Sequence, residues 1–125
     1  MSAGGTTRWP VELRLKKAEK LLQITFDDGV RFYLPAEYLR VESPSAEVQG
    51  HGPGQKNLVH GRAHVGIIGL EPVGNYAVRI IFDDLHDTGI YSWSYLYQLG
   101  VEHDRRWREY LDSLATAGLS REPAR

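Results

Sequence analysis

Two pairs of adjacent aspartates are the residues whose type and spacing first suggest chemistry. Asp27–Asp28 follows the hydrophobic segment "LLQITF", and Asp83–Asp84 follows "YAVRIIF". Two carboxylates can bind a divalent cation or share a proton. Adjacent residues that leave a strand point in different directions, however, and aspartate is frequent in turns because its side chain accepts hydrogen bonds from nearby backbone N–H groups. Because the pair occurs at two equivalent places, the sequence favours a structural role in two turns.

The histidines offer a second candidate chemistry. His51 lies in a glycine-rich segment, and His86 lies between Asp84 and Asp87 in the second aspartate turn. Imidazole and carboxylate together form a donor set that iron and zinc accept. No H-x-x-x-H or H-E-x-x-H pattern falls on a predicted helix, and each histidine taken alone is more typical of a surface or hydrogen-bonded turn residue. The resulting hypothesis is an iron or zinc site made of His86, His51, Asp84 and Asp87.

The segment "SPSAEVQGHGPGQ", residues 43–55, predicts a loop, because its glycines and prolines disfavour both a helix and an inner strand. The backbone N–H groups of such a loop can cradle an anion, although neither a Walker A motif nor a dinucleotide fingerprint is present. The alternative is a structural crossover between two sheet units. Aromatic rings often anchor interfaces, but at helical spacing most belong to the core. The residues predicted to contact a ligand or partner are Gly50, His51, Gly52, Pro53, Gly54, Gln55, Tyr91 and Trp93.

The composition excludes several functional classes. A chain of 125 residues suits one domain, and its net charge of −1 gives no global electrostatic case for binding nucleic acid or an anionic membrane. The absence of cysteine excludes disulfides, thiolate metal sites and cysteine nucleophiles, and no arrangement of serine and histidine suggests a nucleophilic triad. No apolar run approaches the ~20 residues that a membrane helix needs, and "MSAGGTTRWP" lacks the apolar core of a secretory signal. We expect a cytoplasmic protein.

Alternation of apolar and polar residues predicts strands over "VELRL", "LLQITF", "VRFYL", "HVGIIGLEPV" and "YAVRIIF". One short helix begins after Pro35, and a second has Ser92 as its N-cap and Gly100 just past its end. The last helix, "DRRWREYLDSLATAG", has Asp104 as a possible N-cap and Gly118 as its stop. The predicted fold class is α+β, with antiparallel hairpins or a meander, two short helices and one C-terminal helix.

Two parts of the chain resemble each other. "ITFDDGVRFYLPAEYL" and "IIFDDLHDTGIYSWSYL" each give a strand, an aspartate turn, a strand, an aromatic residue and a short helix. The match needs one inserted residue and predicts a weak internal duplication. We expect one domain over residues 9–118, with flexible segments over residues 1–8 and 119–125.

Three stretches taken in order carry a family resemblance over roughly residues 9–114. "YLRVESPSAEVQGHGPGQ", "LEPVGNYAVRIIFDDLHDTGIYSWSYLYQLG" and "WREYLDSL" resemble the gamma-butyrobetaine hydroxylase-like N-terminal domain family. The resemblance implies a small stand-alone, bacterial-type member. A related domain forms the N-terminal part of gamma-butyrobetaine and trimethyllysine dioxygenases, and a similar module is fused to Mrp-type P-loop ATPases that carry iron–sulfur clusters.

In the dioxygenases this domain is similar to a zinc-holding module, with three cysteines in an L-R-x-x-C-P-C-x-x-C run and a later histidine. On the matching run "LRVESPSAEV" the cysteine positions carry Ser43, Ser45 and Val48, and His86 falls on the later histidine. Thiolates supply most of the affinity of such a site. The resemblance therefore implies a loop that closes through backbone turn chemistry instead of a bound metal.

The resemblance does not extend to catalysis. The chain has no room for the catalytic β-helix with its two-histidine, one-carboxylate iron triad, so we expect no enzymatic activity. The leading hypothesis is a non-catalytic binding or adaptor domain in iron–sulfur or other metal metabolism, whose protein partner is an iron–sulfur carrier ATPase or a dioxygenase. One alternative is a metal-binding protein that takes iron or zinc through His51 and His86. The other is an accessory subunit of a separately encoded 2-oxoglutarate dioxygenase.

Overall fold

Two three-stranded antiparallel sheets and four helices make up the part of the chain that the computed structural model describes, residues 8–50 and 56–123. The sheets have the strand orders β1-β2-β3 and β4-β5-β6, and the predicted α+β class is confirmed. The elements, in chain order, are β1 (Pro10–Lys16), β2 (Leu21–Phe26), β3 (Arg31–Pro35), α1 (Ala36–Val41), α2 (Ala46–Gln49), β4 (Ile67–Val73), β5 (Ala77–Phe82), β6 (Ile90–Ser92), α3 (Trp93–Val101) and α4 (His103–Ala117).

The predicted internal duplication is visible in the backbone. We call β1–β3 with α1 the first unit, and β4–β6 with α3 the second unit. Each unit is a three-stranded meander that runs directly into a helix. Each also has one bulge at the same place, at Val11 in β1 and at Ile68 in β4, beside the strand end that pairs with Phe26 or Phe82. The two apolar bulge residues are exposed, as expected for residues that leave the ladder.

The core is formed by the inner faces of the two sheets together with the helices α1 and α3. Alternate residues of β2 and β5 point inward, as the period of two in a strand requires, so that Leu22, Ile24, Ile80 and Phe82 are almost completely buried. Residues from the helices complete the same cluster, and they are Ala36, Tyr38, Leu39, Leu96 and Leu99.

The helices of the two units contact each other reciprocally. The Tyr38 hydroxyl of α1 donates to the Leu99 carbonyl near the end of α3, at 2.6 Å. The Tyr95 hydroxyl of α3 donates in turn to the Glu42 carbonyl, just past the end of α1. The same hydrogen bond therefore occurs twice with the roles of the units exchanged, as in a pseudo-two-fold arrangement. Burial raises the pKa of both tyrosines, which keeps the hydroxyls protonated as donors.

Two of the predicted ends of α3 and α4 agree with the structure and two do not. The Ser92 hydroxyl accepts a hydrogen bond from the Tyr95 N–H at 3.1 Å and caps α3, and Gly118 ends α4 in the left-handed conformation with φ 68°. Gly100, expected just past α3, lies inside it, because α3 continues to Val101. Asp104, expected as an N-cap, lies in the first turn of α4 instead, because α4 follows α3 almost without a break.

The loop prediction for residues 43–55 was wrong over four residues. Ala46–Gln49 forms the single helical turn α2, because these residues contain neither glycine nor proline and the breakers lie on either side. Gly50 ends the turn with φ 75°. Residues 51–55 lie outside the described part of the chain.

The segment after α4 lies against the body of the protein over residues 119–123. The N–H groups of Gly61 and Ala63 donate to the carbonyls of Ser120 and Arg121, both at 2.9 Å. The Arg121 guanidinium also forms a bidentate pair with the buried carboxylate of Glu37, at 2.7 and 2.9 Å. These contacts connect the C-terminal segment to the beginning of α1.

Candidate functional site

The two aspartate turns share the same hydrogen bonds. Oδ1 of Asp28 accepts from the Val30 N–H at 2.9 Å, and Oδ1 of Asp84 accepts from the His86 N–H at 3.1 Å. In both turns the second aspartate therefore caps the N–H two residues ahead, which is the ordinary structural role of aspartate in a turn. Burial raises the pKa of Asp84, but hydrogen bonds from the His86 N–H and Arg40 outweigh it and hold that pKa below its usual value.

The turns differ at the residue that follows the aspartate. In the first turn this is Gly29, with φ 86°, and in the second it is Leu85, with φ 73°. Glycine adopts a positive φ without penalty, whereas leucine does so against steric strain. The Leu85 side chain is also 86% exposed, more than any other large hydrophobic residue of the described chain.

His86 lies at the centre of a buried polar cluster. Its Nε2 is 2.9 Å from the Ser43 hydroxyl and 3.3 Å from the Ser45 hydroxyl, and the two hydroxyls are 3.2 Å apart. Ser43 is fully buried, and Ser45 and His86 are nearly so. Proline and serine turn chemistry between α1 and α2 brings the two hydroxyls to one point, with the Ser45 N–H donating to the Ser43 hydroxyl. We refer to these three residues as the Ser43–Ser45–His86 cluster.

The electrostatics of the cluster favour a neutral imidazole. Burial and the nearby Arg40 guanidinium lower the pKa of His86, and the carboxylates of Glu47, Asp84 and Asp87 offset this only in part. Nδ1 faces Oε2 of Glu47 at 3.7 Å. A neutral ring with its proton on Nδ1 can therefore point that proton toward Glu47 and accept a serine hydroxyl proton at Nε2.

The cluster places serine, histidine and glutamate in the order of a nucleophile, a base and an orienting acid, which the sequence did not suggest. Such a triad needs the nucleophile to reach a substrate and the acid to bond the base. Ser43 has no exposed surface, and 3.7 Å between Glu47 and His86 is too long for a hydrogen bond. The arrangement is therefore suited to holding two segments together and not to attacking a substrate.

The donor set does not fit the zinc ion that the resemblance implies for related domains. It consists of one imidazole and two neutral hydroxyls, and the fourth position is Val48, which is buried and has no donor atom. Zinc sites in proteins are built from thiolates, imidazoles and carboxylates. Within residues 8–50 and 56–123, no group of three or more histidine, cysteine, aspartate or glutamate side chains is placed to hold a metal ion.

The residues of the predicted iron or zinc site lie as follows. Asp84 is engaged by two arginines, since its Oδ2 is 2.8 Å from Nε of Arg40 and 2.7 Å from Nε of Arg62. Asp87 is exposed at the surface of the same turn. His51 lies outside the described residues, so its pairing with His86 stays a prediction.

Of the residues predicted to contact a ligand or partner, three lie in the described part of the chain, and each has a structural role there. Tyr91 is fully buried, and its hydroxyl donates to the Leu39 carbonyl at 2.6 Å, so it is a core residue and has no surface to offer a partner. Trp93 is half-buried, and its Nε1–H donates to the Asn75 carbonyl. Gly50 ends α2. The remaining five, His51, Gly52, Pro53, Gly54 and Gln55, lie outside the described part of the chain.

An exposed acidic surface covers the buried cluster. The Thr88 hydroxyl donates to Oε1 of Glu47 at 3.0 Å, which joins α2 to the second aspartate turn. The side chains exposed there are those of Ala46, Glu47, Asp83, Leu85, Asp87 and Thr88, and we call them the Leu85 surface. They combine one fully displayed leucine with three carboxylates. Leu85 could not be recognised from the sequence, because no glycine marks its positive φ.

A concave region lies between α4 and residues 56–59, apart from the Leu85 surface. Its volume is about 490 Å³, and Val41, Asn57 and Tyr110 are among the residues that line it. The Glu42 carboxylate at its base is nearly fully buried and pairs with Lys56 at 3.0 Å and Arg106 at 2.9 Å. Because these charges satisfy one another, the region is better explained as an ion-paired junction of α1 with α4 than as a ligand site.

The fold and the cluster together define a class of protein: a small α+β domain made of two meander–helix units, whose second unit is fastened to the end of the first helix by buried hydrogen bonds. The sequence profile of the family described as "Gamma-butyrobetaine hydroxylase-like, N-terminal" matches residues 13–97. The chain belongs to this family, and the predicted resemblance is confirmed.

Solved structures support the same assignment. Two proteins with NMR solution structures are similar to this chain, each with a TM-score of 0.82. The first is 47% identical, and the match covers 94% of this chain and 93% of that protein. The second is 46% identical, and the match covers 100% of this chain and 93% of that protein. A protein of unknown function from Acidithiobacillus ferrooxidans ATCC 23270, described as a member of the DUF971 family, is 36% identical with a TM-score of 0.62, over 73% of this chain and 91% of its own. A search of curated proteins finds no match. None of the described helices is long and apolar enough to cross a membrane.

Proposed function

We propose that this protein is a non-catalytic adaptor domain that binds a partner protein through the Leu85 surface. The observation that carries the proposal is Leu85 itself, an apolar side chain that is 86% exposed on a backbone with φ 73°. A left-handed conformation costs an L-residue about 1–2 kcal/mol, and an exposed leucine gains nothing from burial in return. Strain of this kind is typical of sites whose role lies outside the fold.

The first unit provides an internal comparison. Its equivalent turn has the same capping aspartate bond and the same positive φ, but Gly29 at the strained position. The turn therefore does not require a leucine in order to fold. Leu85 is explained by contact with another molecule.

The charges around Leu85 indicate the chemistry of the partner. Asp83 and Asp87 flank the leucine in the chain, and Glu47 is hydrogen-bonded to Thr88 of the same turn. All three are exposed, whereas the Asp84 carboxylate is already paired with Arg40 and Arg62. A central apolar contact surrounded by charge is the usual anatomy of a small interface. The surface fits a partner segment that offers an apolar pocket or side chain flanked by lysine or arginine.

The family resemblance suggests which proteins to test. A Mrp-type P-loop ATPase that carries iron–sulfur clusters is the first candidate partner, and a 2-oxoglutarate dioxygenase, with this chain as its accessory subunit, is the second. With either partner, the proposed role would lie in the cytoplasm and in metal metabolism. The alternative that the protein itself binds iron or zinc through His51 and His86 has no supporting contact among the described residues, and it is tested below by metal analysis.

The test compares binding of purified ATPase and purified dioxygenase to wild type, Leu85→Asp and Leu85→Gly by calorimetry. Loss of one central apolar contact weakens an interface by about tenfold or more, so we expect that loss in both variants. Val11→Asp is the matched control, because Val11 is an exposed apolar residue at the bulge of the other unit; it should bind as wild type does. Equal affinity of wild type and Leu85→Asp would contradict the proposal.

Leu85→Gly should change stability and partner affinity in opposite directions. Relief of the left-handed strain is worth about 1–2 kcal/mol, and the extra backbone entropy of glycine takes back about 0.5–1 kcal/mol. The variant should therefore be as stable as wild type or more stable, and yet bind the partner less well. A residue that served the fold alone would not show this combination.

A further inference from the structure

We infer that the Ser43–Ser45–His86 cluster is a metal-independent latch, which closes the junction between the two units at the place where the family resemblance implies a zinc site. This inference rests on the contacts of the cluster and does not depend on the proposed partner.

The latch joins parts of the chain that are far apart in sequence. Ser43 and Ser45 follow α1 of the first unit, and His86 lies in the turn before β6 of the second. Two buried serine hydroxyls meet at Nε2 of His86. Gln49 Nε2 donates to the Ser43 carbonyl at 2.8 Å and holds the serine backbone in place. Because buried polar groups need partners, each serine and the imidazole satisfy one another without an ion.

The Arg40 guanidinium beside the latch disfavours a positive charge on His86, and the carboxylates of Glu47, Asp84 and Asp87 offset this only in part. Arg40 is nearly fully buried, and its guanidinium interacts unfavourably with a positive charge on His86. Nη1 of Arg40 is buried with no hydrogen-bond partner within the described residues. A site with thiolates would place negative charge here, whereas the serine hydroxyls place none. Burial and the Arg40 guanidinium together therefore favour the neutral form of His86, which is the form that accepts the serine hydrogen bonds.

The pseudo-two-fold arrangement shows that such a junction closes without metal. At the equivalent junction of the other half, Phe32 of β3 packs on Gly100 of α3, where an added Cβ would lie 2.4 Å from the ring. At the latch, Ser43 packs on Gly89, where an added Cβ would lie 2.5 Å from the hydroxyl. The same close fit against a glycine is thus made by an apolar ring in one half and by a serine in the other.

The first experiment measures metal content and chelator dependence of the untagged wild type. We expect far less than one equivalent of zinc or iron by elemental analysis, and the same melting temperature with and without EDTA. Ser43→Ala and His86→Ala each leave buried polar groups unsatisfied, and each should lower the melting temperature by about 3–8 °C. Stoichiometric metal with a chelator-sensitive fold, or serine and histidine variants as stable as wild type, would overturn the inference.

The second experiment restores the ligands. The triple variant Ser43→Cys/Ser45→Cys/Val48→Cys supplies thiols at the three positions where the resemblance implies cysteine ligands, and we expect it to take up close to one zinc ion per chain and to melt at a lower temperature after EDTA treatment. A variant with the same three cysteines and His86→Ala is the control, and it should bind zinc at least tenfold more weakly. A folded triple variant that takes up no zinc would show that the latch does not stand in the place of a metal site. Should the triple variant not fold, the measurements on the wild type and the single variants still decide the inference.

Discussion

Removal of Arg121 should destabilise the protein far more than its place in the terminal segment suggests. The Glu37 carboxylate is 7% exposed and accepts two hydrogen bonds from the Arg121 guanidinium, at 2.7 and 2.9 Å. The guanidinium also lies 5.4 Å from the ring centroid of Trp107. Arg121→Ala leaves the carboxylate buried and without its cation, which is the expensive half of a broken ion pair.

The magnitude follows from the exposure of the two partners. Loss of one member of a fully buried pair costs about 3–5 kcal/mol, but the Arg121 side chain is 45% exposed, so water can reach the site after the truncation. Allowing for this, and adding about 0.5 kcal/mol for the cation–π contact, we expect a loss of about 2 kcal/mol. For a chain of 125 residues this lowers the melting temperature by about 6–10 °C.

A double-mutant cycle with Glu37→Gln tests the cause. The glutamine removes the buried charge, so Arg121→Ala should cost less than about 1 kcal/mol in that background, as measured by urea unfolding. Arg105→Ala is the control, because the Arg105 side chain is 54% exposed and pairs with Glu102 and Glu109 where water screens the charges, so its removal should leave the unfolding midpoint unchanged. A wild-type midpoint for Arg121→Ala, or an equal loss in both backgrounds, would refute the reasoning.

Three further outcomes can be measured by the same unfolding assay. Ser92→Ala removes the N-cap of α3 and should lower the free energy of unfolding by about 1 kcal/mol, whereas Ser94→Ala, two residues further on and not the cap, should lower it much less. Gly100→Ala gains about 1 kcal/mol of helix propensity, but the new Cβ would lie 2.4 Å from the Phe32 ring, and this overpacking costs about 1–3 kcal/mol; we expect net destabilisation, and a more stable variant would contradict the described packing. Burial lowers the pKa of His103, which stacks on the core residue Tyr38. The unfolded state therefore binds one more proton as the pH falls through 6.5, and the free energy of unfolding declines below that value. His103→Gln should reduce the slope of this decline by the contribution of one proton, and an unchanged slope would show that His103 is not the cause.

The strands and helices could be predicted because local patterns determine them. Alternation in "LLQITF" and "YAVRIIF", the cap at Ser92 and the stop at Gly118 each depend on a few neighbouring residues, and the structure has them where the sequence suggests. The turn α2 was missed because four residues between breakers carry no period. Gly100 was placed outside α3 because glycine usually follows a helix, whereas here close packing against Phe32 requires it inside.

The candidate site was only partly predictable, for a different reason. Ser43, Ser45 and His86 were placed at one site by comparison with a ligand run, and the structure brings them together. The ion pair between Glu37 and Arg121 joins residues 84 positions apart, and no local pattern marks it. Leu85 has a positive φ that only its surroundings impose, so propensity alone indicates an ordinary turn residue.

The duplication separates what the fold requires from what it does not. Both units keep the bulge, the capping aspartate and the backbone bonds of the turn, since Phe26 and Phe82 N–H groups donate to the carbonyls of Val30 and His86, at 2.9 and 3.0 Å. What both halves share is what the meander–helix unit needs in order to fold. Among the positions that differ are Gly29 against Leu85, Val30 against His86, Phe32 against Gly89, and Gly100 against Ser43. The last two pairs form the two equivalent junctions. At one junction Phe32 packs on Gly100, and at the other Ser43 packs on Gly89 and is hydrogen-bonded to His86. Because the first unit builds the equivalent turn with Gly29, the exposed leucine of the second turn is the difference that the proposed partner contact accounts for, whereas the buried latch stabilises its own junction.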